Sequence, residues 1–253
     1  MQPTELNVLQ ITDTHIAADP QERLGGVNTR ESFLAVKRHV LDSKTNYDAI
    51  WLTGDLTANS EQPAYEWLFD ELGELDVPVY CLPGNHDVAQ TMRSLALPRQ
   101  WQYCGEQRVS GWHIVLLDST VVGEAYGTIS EPEFERLETS LAARPQASAI
   151  VVLHHNPIPM RSRWLDTMTL ANHTQFWSII DRYSQVRGVV WGHVHQNYDS
   201  FRNGVRLLAT PSTCVQFDAR ARNFAIAPLA PGYRRLSLMS DGKIDSEVLR
   251  VPR

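Results

Sequence analysis

A chain of 253 residues, 43% of them apolar, is long enough to bury a substantial core. Its formal net charge of −6 argues against a dedicated polyanion binder, which carries a basic stripe to neutralise phosphates, but is compatible with a small anionic substrate held by metals. Cys81, Cys104 and Cys214 are odd in number and lack CxxC spacing, which argues against a disulfide framework and fits a reducing compartment.

In chain order, the run from Met1 to Leu6 shows no basic and apolar leader pattern, and a strand is predicted from Leu6 to Ile11. After the Asp13 loop comes a helix from about Thr29 to Leu41, with Phe33, Val36 and Val40 on one face and Thr29 as its cap. Strand and helix then alternate: Tyr47 to Leu52, a helix near Glu61 to Leu72, and Val77 to Leu82. Further strands are expected at His113 to Leu117, Ala149 to Leu153 and Gly188 to Trp191, with helices near Glu131 to Ala142 and His173 to Tyr183. Beyond Gly192, Val205 to Ala209, Thr213 to Phe217, Tyr233 to Leu238 and Ile244 to Val251 are predicted strands. The Asn203-Gly204, Pro231-Gly232 and Asp241-Gly242 turns between them predict mostly antiparallel pairing. The pattern is α/β, with one domain over residues 1–253 expected. Apolar stretches such as Ala149 to Leu153 fall far short of the roughly 20 residues that span a bilayer, so a cytoplasmic setting is expected.

The chemistry lies at the strand ends. Asp13-Thr14-His15, Gly54-Asp55, Gly84-Asn85-His86-Asp87, His154-His155 and Gly192-His193-Val194-His195 each follow an apolar run, so in an α/β sheet they converge on one crevice. Imidazoles, carboxylates and one amide suit a borderline transition metal such as Fe, Mn, Co or Zn. Asp13 and His15 flank one residue, and in an extended or tightly turning loop both reach one cation. Asp55 is a second carboxylate, whose two oxygens can bridge cations roughly 3.5–4 Å apart. Asn85 offers a neutral amide oxygen, and Gly84 allows a tight turn beside it. If Gly192 to His195 is extended, His193 and His195 project to one side and can serve different metals. A lone histidine is more often hydrogen-bonded or on the surface than a ligand. Here, however, six of the nine histidines fall inside the five motifs, and chance must explain all of them together. His39, His113 and His173 remain as structural residues.

This ordered set resembles the calcineurin-like metallophosphoesterase superfamily across roughly the first 200 residues. It is similar in particular to the bacterial class III 3′,5′-cyclic-AMP phosphodiesterases, through the segments Leu9 to His15, Leu82 to Asp87 and Leu208 to Phe217. The resemblance implies a four-layer αββα sandwich with C-terminal antiparallel strands and two divalent or mixed-valence metal ions, Fe and/or Mn first, with Co or Zn as alternatives. The first metal would take Asp13, His15 and His195, the second Asn85, His154 and His193, and Asp55 would bridge them. Relatives carry His-His-Pro where this chain has His154-His155-Asn156-Pro157, so either histidine can be the ligand. His154 is assigned because it directly follows the strand, with His155 as a supporting residue or substrate contact. The resemblance also places His15, Asp55, Asn85, His86 and His195 against the substrate.

The implied reaction is hydrolysis of 3′,5′-cyclic AMP to 5′-AMP by in-line attack of a metal-bridging hydroxide, without a covalent enzyme intermediate. His86 is the candidate catalytic general acid, and Asp87 is expected to orient it. Met160 to Asp166 combines cations with the Trp164 ring, and the Leu24 to Asn28 loop is another wall; neither is assigned to specificity. Alternatives are a metallophosphodiesterase acting on a glycerophosphodiester, a 2′,3′-cyclic nucleotide or, against the acidic charge, DNA, and a non-catalytic binding protein that kept the fold. The strands from Val205 onward either cover the core or present an edge for a homodimer.

Overall fold

The computed structural model describes residues 5–252; Met1 to Thr4, part of the leader reading, and Arg253 lie outside the described residues. Two six-stranded mixed sheets face each other. In spatial order the first comprises Ile244–Arg250, Gly232–Met239, Glu5–Ile11, Ala49–Thr53, Val79–Leu82 and Gln102–Tyr103. The second comprises Tyr198–Arg202, Val205–Ala209, Val186–Trp191, Ser148–Val152, Trp112–Leu116 and Gly105–Val109.

The period-2 pattern of the strands sorts side chains into three apolar layers. In the first strand Leu6 and Val8 face the other sheet, together with Ala49, Trp51, Ile150 and Val152. Leu9, Ile11, Ile50 and Leu52 point the other way, onto helices Thr29–Asp42 and Gln62–Gly73 through Phe33, Val36, Leu68 and Phe69. On the far side Ala149, Val151 and Leu153 pack on helices Glu131–Ala142 and His173–Ile180 through Phe134, Leu137 and Phe176. Helices, sheet, sheet and helices form the expected four layers. Among the described residues no helix is long and apolar enough to cross a membrane.

Most expected elements are present within a residue or two, and Glu131–Ala142 has the expected bounds. Three details differ. The cap of the first long helix is Asn28, whose side chain accepts from Glu31 N at 3.0 Å, and Thr29 is already helical. Val205–Ala209 lies parallel to Val186–Trp191 and antiparallel only to Tyr198–Arg202, a strand whose polar sequence gives no apolar run to find. Thr213 to Val215 form a loop rather than a strand, leaving only Gln216–Phe217 extended. Of the C-terminal strands, Gly232–Met239 pairs with Glu5–Ile11 inside the first sheet, while Ile244–Arg250 is its edge, carrying the charges Asp245, Glu247 and Arg250 that guard an edge.

Candidate metal centre

The five motifs lie in loops that leave the carboxyl ends of central strands in both sheets, and backbone hydrogen bonds lace these loops together. Asp13 N donates to Gly54 O at 2.9 Å, His15 N to Asp55 O at 3.0 Å, and Gly192 N to His154 O at 3.2 Å. Five candidate ligands lie in the left-handed region: Asp13 (φ 52°), His15 (φ 44°), Asp55 (φ 51°), His193 (φ 65°) and His195 (φ 48°). Such a backbone costs on the order of 1–3 kcal/mol at a non-glycine residue and persists where the surroundings over-determine it. The expected extended Gly192 to His195 segment is therefore a tight turn, closed by Val194 N donating to Gly192 O at 2.7 Å. The glycines beside these residues serve close approach. A β-carbon on Gly84 would lie 2.2 Å from Asp55 Oδ1, and one on Gly192 would lie 2.1 Å from Thr12 Oγ1.

Six of the seven expected ligands, all but Asn85, bring donor atoms together in overlapping groups. Asp13, His15 and His195 bring donor atoms within 4.8 Å of one another. His195 Nε2 is 3.3 Å from Asp13 Oδ1 and 3.1 Å from His15 Nε2. His195 Nδ1 donates to Val215 O at 2.8 Å, so in the neutral ring the Nε2 lone pair faces this cluster. Burial pushes His15 down to about 3, which keeps it neutral. Two imidazole nitrogens at this separation need a proton or a cation between them or beside them. Asp13 accepts from the backbone N–H of His193 at 3.0 Å, and Thr12 Oγ1 donates to it at 2.6 Å. Burial opposes its ionisation, but His195 outweighs it and holds the carboxyl below the usual range.

The second cluster centres on His154 and His193, whose ring centroids are 5.1 Å apart, with Asn85 on the adjoining loop, where Gly84 lies against His154 and Asp55. Asn85 Oδ1, His154 Nε2 and His193 Nε2 are all buried without a hydrogen-bond partner, which is costly unless a ligand satisfies them. His154 Nδ1 donates to Thr53 O at 2.7 Å, fixing its tautomer and aiming Nε2 at Asp55 Oδ2, 3.3 Å away. Burial works against charge on His154, yet the Asp55 carboxylate outweighs it and raises the ring to about 9. A positive charge at Nε2 is thus favoured, and a proton and a metal ion are alternative sources of it. Burial, then the charge on His154, pushes His193 down to about 4.

Asp55 joins the clusters. Its Oδ2 lies 3.7 Å from His15 Nε2 and 3.3 Å from His154 Nε2, and its Oδ1 accepts from His86 N at 2.8 Å. The orphaned donor atoms, buried carboxylates and oriented imidazoles fit a pair of borderline cations. His155 belongs to the same assembly: its donors group with those of His154 and His193, its Nε2 has no partner, and its Nδ1 is 2.8 Å from Ser119 Oγ.

Two residues behave differently from expectation or were missed. Asp87 does not touch His86; its carboxylate accepts from Leu56 N at 3.1 Å, Gly84 N at 2.9 Å and Tyr65 Oη at 2.8 Å, clamping the Asp55 and Asn85 loops together. Burial first, and the charge of Asp55 second, raise this carboxyl to about 6. His86 is exposed and is oriented instead by Ala58 O, which accepts from its Nδ1 at 2.9 Å. Ser212, with no obvious role in the sequence, donates to Asp13 O at 2.7 Å, which explains why the Leu208 to Phe217 segment accompanies the motifs. The other histidines are structural: His39 Nδ1 pairs with Tyr233 Oη at 3.0 Å and His113 Nε2 with Glu106 at 3.0 Å.

Comparison with known proteins agrees with this geometry. Residues 6–197 match the calcineurin-like phosphoesterase family. The chain is 39% identical over 251 residues to the 3′,5′-cyclic adenosine monophosphate phosphodiesterase CpdA of Escherichia coli K12, covering 97% of this chain and 90% of that protein. It is 38% identical over 248 residues to CpdA of Vibrio vulnificus, with coverage of 97% and 90%. A 3′,5′-cyclic-nucleotide phosphodiesterase of Nostoc is 37% identical over 248 residues, covering 98% and 93%. Among solved structures, a dimetal phosphatase from Danio rerio superposes with a TM-score of 0.67 at 15% identity over 98% of this chain and 99% of that one, which speaks to the fold alone. Taken with the shared edge on which both donor clusters converge, these matches establish that the chain belongs to the calcineurin-like phosphoesterase family, whose members use a dinuclear metal site.

Proposed function

We propose that this protein is a metal-dependent phosphodiesterase that hydrolyses 3′,5′-cyclic AMP to 5′-AMP. The observation that carries the reading is the pair of donor clusters on either side of Asp55 Oδ2, in a chain that aligns over nearly its full length with cyclic-AMP phosphodiesterases. Asp13, His15 and His195 would hold one ion, Asn85, His154 and His193 the other, and Asp55 both. His154 is preferred to His155 because its Nδ1–H is fixed on Thr53 O and its Nε2 faces the shared carboxylate. A thiolate-free set of imidazole, carboxylate and amide oxygen suits Fe, Mn, Co or Zn, and the resemblance puts Fe and Mn first.

When bound, two such ions supply a nucleophile from water near neutral pH and neutralise charge on the phosphoryl oxygens. The remaining work falls to the chain. His86 stands exposed beside the centre, edge-on to His15 at a centroid distance of 4.8 Å, with Nδ1 tied to Ala58 O. Its Nε2 is the group that can give a proton to the departing 3′ oxygen. Asp55 keeps the segment bearing His86 in place by accepting from His86 N at Oδ1. Asp87 supports that loop from behind rather than orienting the ring. A single domain over residues 1–253 and a reducing, cytoplasmic setting belong to the same proposal; pairing of Gly232–Met239 with Glu5–Ile11 and an odd count of cysteines without CxxC spacing support them.

The deciding experiment is product analysis of 3′,5′-cyclic AMP treated with Mn²⁺- or Fe²⁺-reconstituted protein, with 2′,3′-cyclic AMP and a glycerophosphodiester alongside and Asn85→Ala as control. Metal-dependent release of 5′-AMP, lost in the control, is expected. Cleavage of another diester with 3′,5′-cyclic AMP untouched overturns the substrate assignment. His86→Ala should keep both metals yet lower kcat by about 10²–10⁴-fold, and near-normal turnover would remove His86 from proton transfer.

A further inference from the structure

Two loops outside the metal-binding motifs meet beside the centre. One brings Trp164; the other, between Gln216–Phe217 and Ile226–Ala227, brings Phe217 and Phe224. The three rings form a closed triangle, with centroid separations of 5.0 Å (Trp164 to Phe217), 5.4 Å (Trp164 to Phe224) and 5.6 Å (Phe217 to Phe224), each pair edge to face. Ser162 Oγ donates to Ala221 O at 3.4 Å and ties the loops together. The triangle abuts the metal centre directly, because Phe217 stacks on His195 at 3.9 Å with an interplanar angle of 11°.

Phe224 is 61% exposed, far more than core packing explains for a ring in an ordered cluster. The same two loops carry the exposed Arg161 and Arg163, on the Trp164 side, and Arg220 and Arg222, just before Phe224. Among the described residues none of these four guanidinium groups has a carboxylate within 4.0 Å, whereas Arg99, Arg182 and Arg202 elsewhere on the surface each do. On a chain with net charge −6, four arginines without a carboxylate partner give these two loops a local positive charge, of the sign that attracts an anionic substrate.

We propose that this aromatic lip is the nucleobase subsite, Phe224 stacking on the base of a nucleotide whose phosphate lies at the metal centre; the inference rests on the cyclic-nucleotide reading. Stacking accepts any base face, so the lip would favour nucleotides over base-free esters more than adenine over other bases. Titration calorimetry of the Mn²⁺-loaded protein with 5′-AMP and with ribose 5-phosphate isolates the base. The wild type should bind 5′-AMP about ten-fold more tightly, Phe224→Ala should erase that preference, and Phe224→Trp should restore it. In turnover, Phe224→Ala should raise KM for 3′,5′-cyclic AMP about ten-fold, with kcat and the hydrolysis of methyl p-nitrophenyl phosphate little changed. Equal binding of the two ligands by the wild type, a preference that survives Phe224→Ala, or equal damage to both substrates would each overturn the proposal. If the wild type leaves 3′,5′-cyclic AMP intact, the functional reading falls, and the binding ratio still decides the lip.

Discussion

The two halves of the centre are built to different electrostatic designs. The Asp13, His15 and His195 half owns a carboxylate outright, and that carboxylate is further held by Thr12 and the His193 amide. The Asn85, His154 and His193 half contributes only neutral donors of its own and borrows negative charge from Asp55. A cation in the first half would have two carboxylates as ligands, whereas one in the second would have only the shared Asp55, with Asp13 nearby but assigned to the other half. The halves should therefore differ in affinity, and the second should be the first to empty.

The severest way to break this comparison is Asp55→Asn, which removes charge from both halves. Metal analysis should find neither site filled, and turnover should fall on the order of 10³-fold. Retention of both ions would deny the shared role. Next, Asn85→Ala should leave one Mn²⁺ per chain after dialysis and lower kcat/KM by about 10²-fold. Loss of both ions instead would mean that the first half cannot stand alone.

A pH titration sharpens the contrast. His15 and His193, depressed to about 3 and about 4, carry no proton that metal must displace near neutrality. His154, raised to about 9, does. Since proton and metal compete for the same Nε2, affinity of the second half should fall about ten-fold per unit as pH drops from about 9. Calorimetry in buffers of different ionisation enthalpy would read the released proton; none released at pH 7 would contradict the assignment of His154. The smallest effect is expected from Ser119→Ala, which frees the His155 ring: a loss of about ten-fold in affinity at the second half, with the first unaffected.

How much of this was legible depended on whether a residue type or a backbone group does the work. Strand ends carrying Asp, Asn and His announce themselves, because an apolar run followed by a metal donor has a specific chemical sense. The layers were likewise readable from alternation such as Leu6, Val8 against Leu9, Ile11. Orientation was not. Thr53 O, Ala58 O and Val215 O fix three imidazoles, and a carbonyl leaves no mark in the sequence. The left-handed turns at His193 and His195 were hidden too, since neither is a glycine and tertiary contacts impose the conformation. Asp87 misled because adjacency to His86 suggested partnership, whereas its carboxylate turns toward Tyr65 and the amides of neighbouring loops. Tyr198–Arg202 was invisible for the opposite reason: an edge strand needs no apolar face.

Each half of the centre draws donors from both sheets: Asp13 and His15 from the first with His195 from the second, Asn85 from the first with His154 and His193 from the second. Bound ions would then act as rivets through the sandwich as well as reagents. Thermodynamic linkage makes fold stability rise by RT ln(1 + [M]/Kd) for each ion that only the folded chain holds, about 2.7 kcal/mol at a hundred-fold excess over Kd. Metal starvation would therefore weaken the protein itself, tying its lifetime as well as its turnover to the supply of the ions.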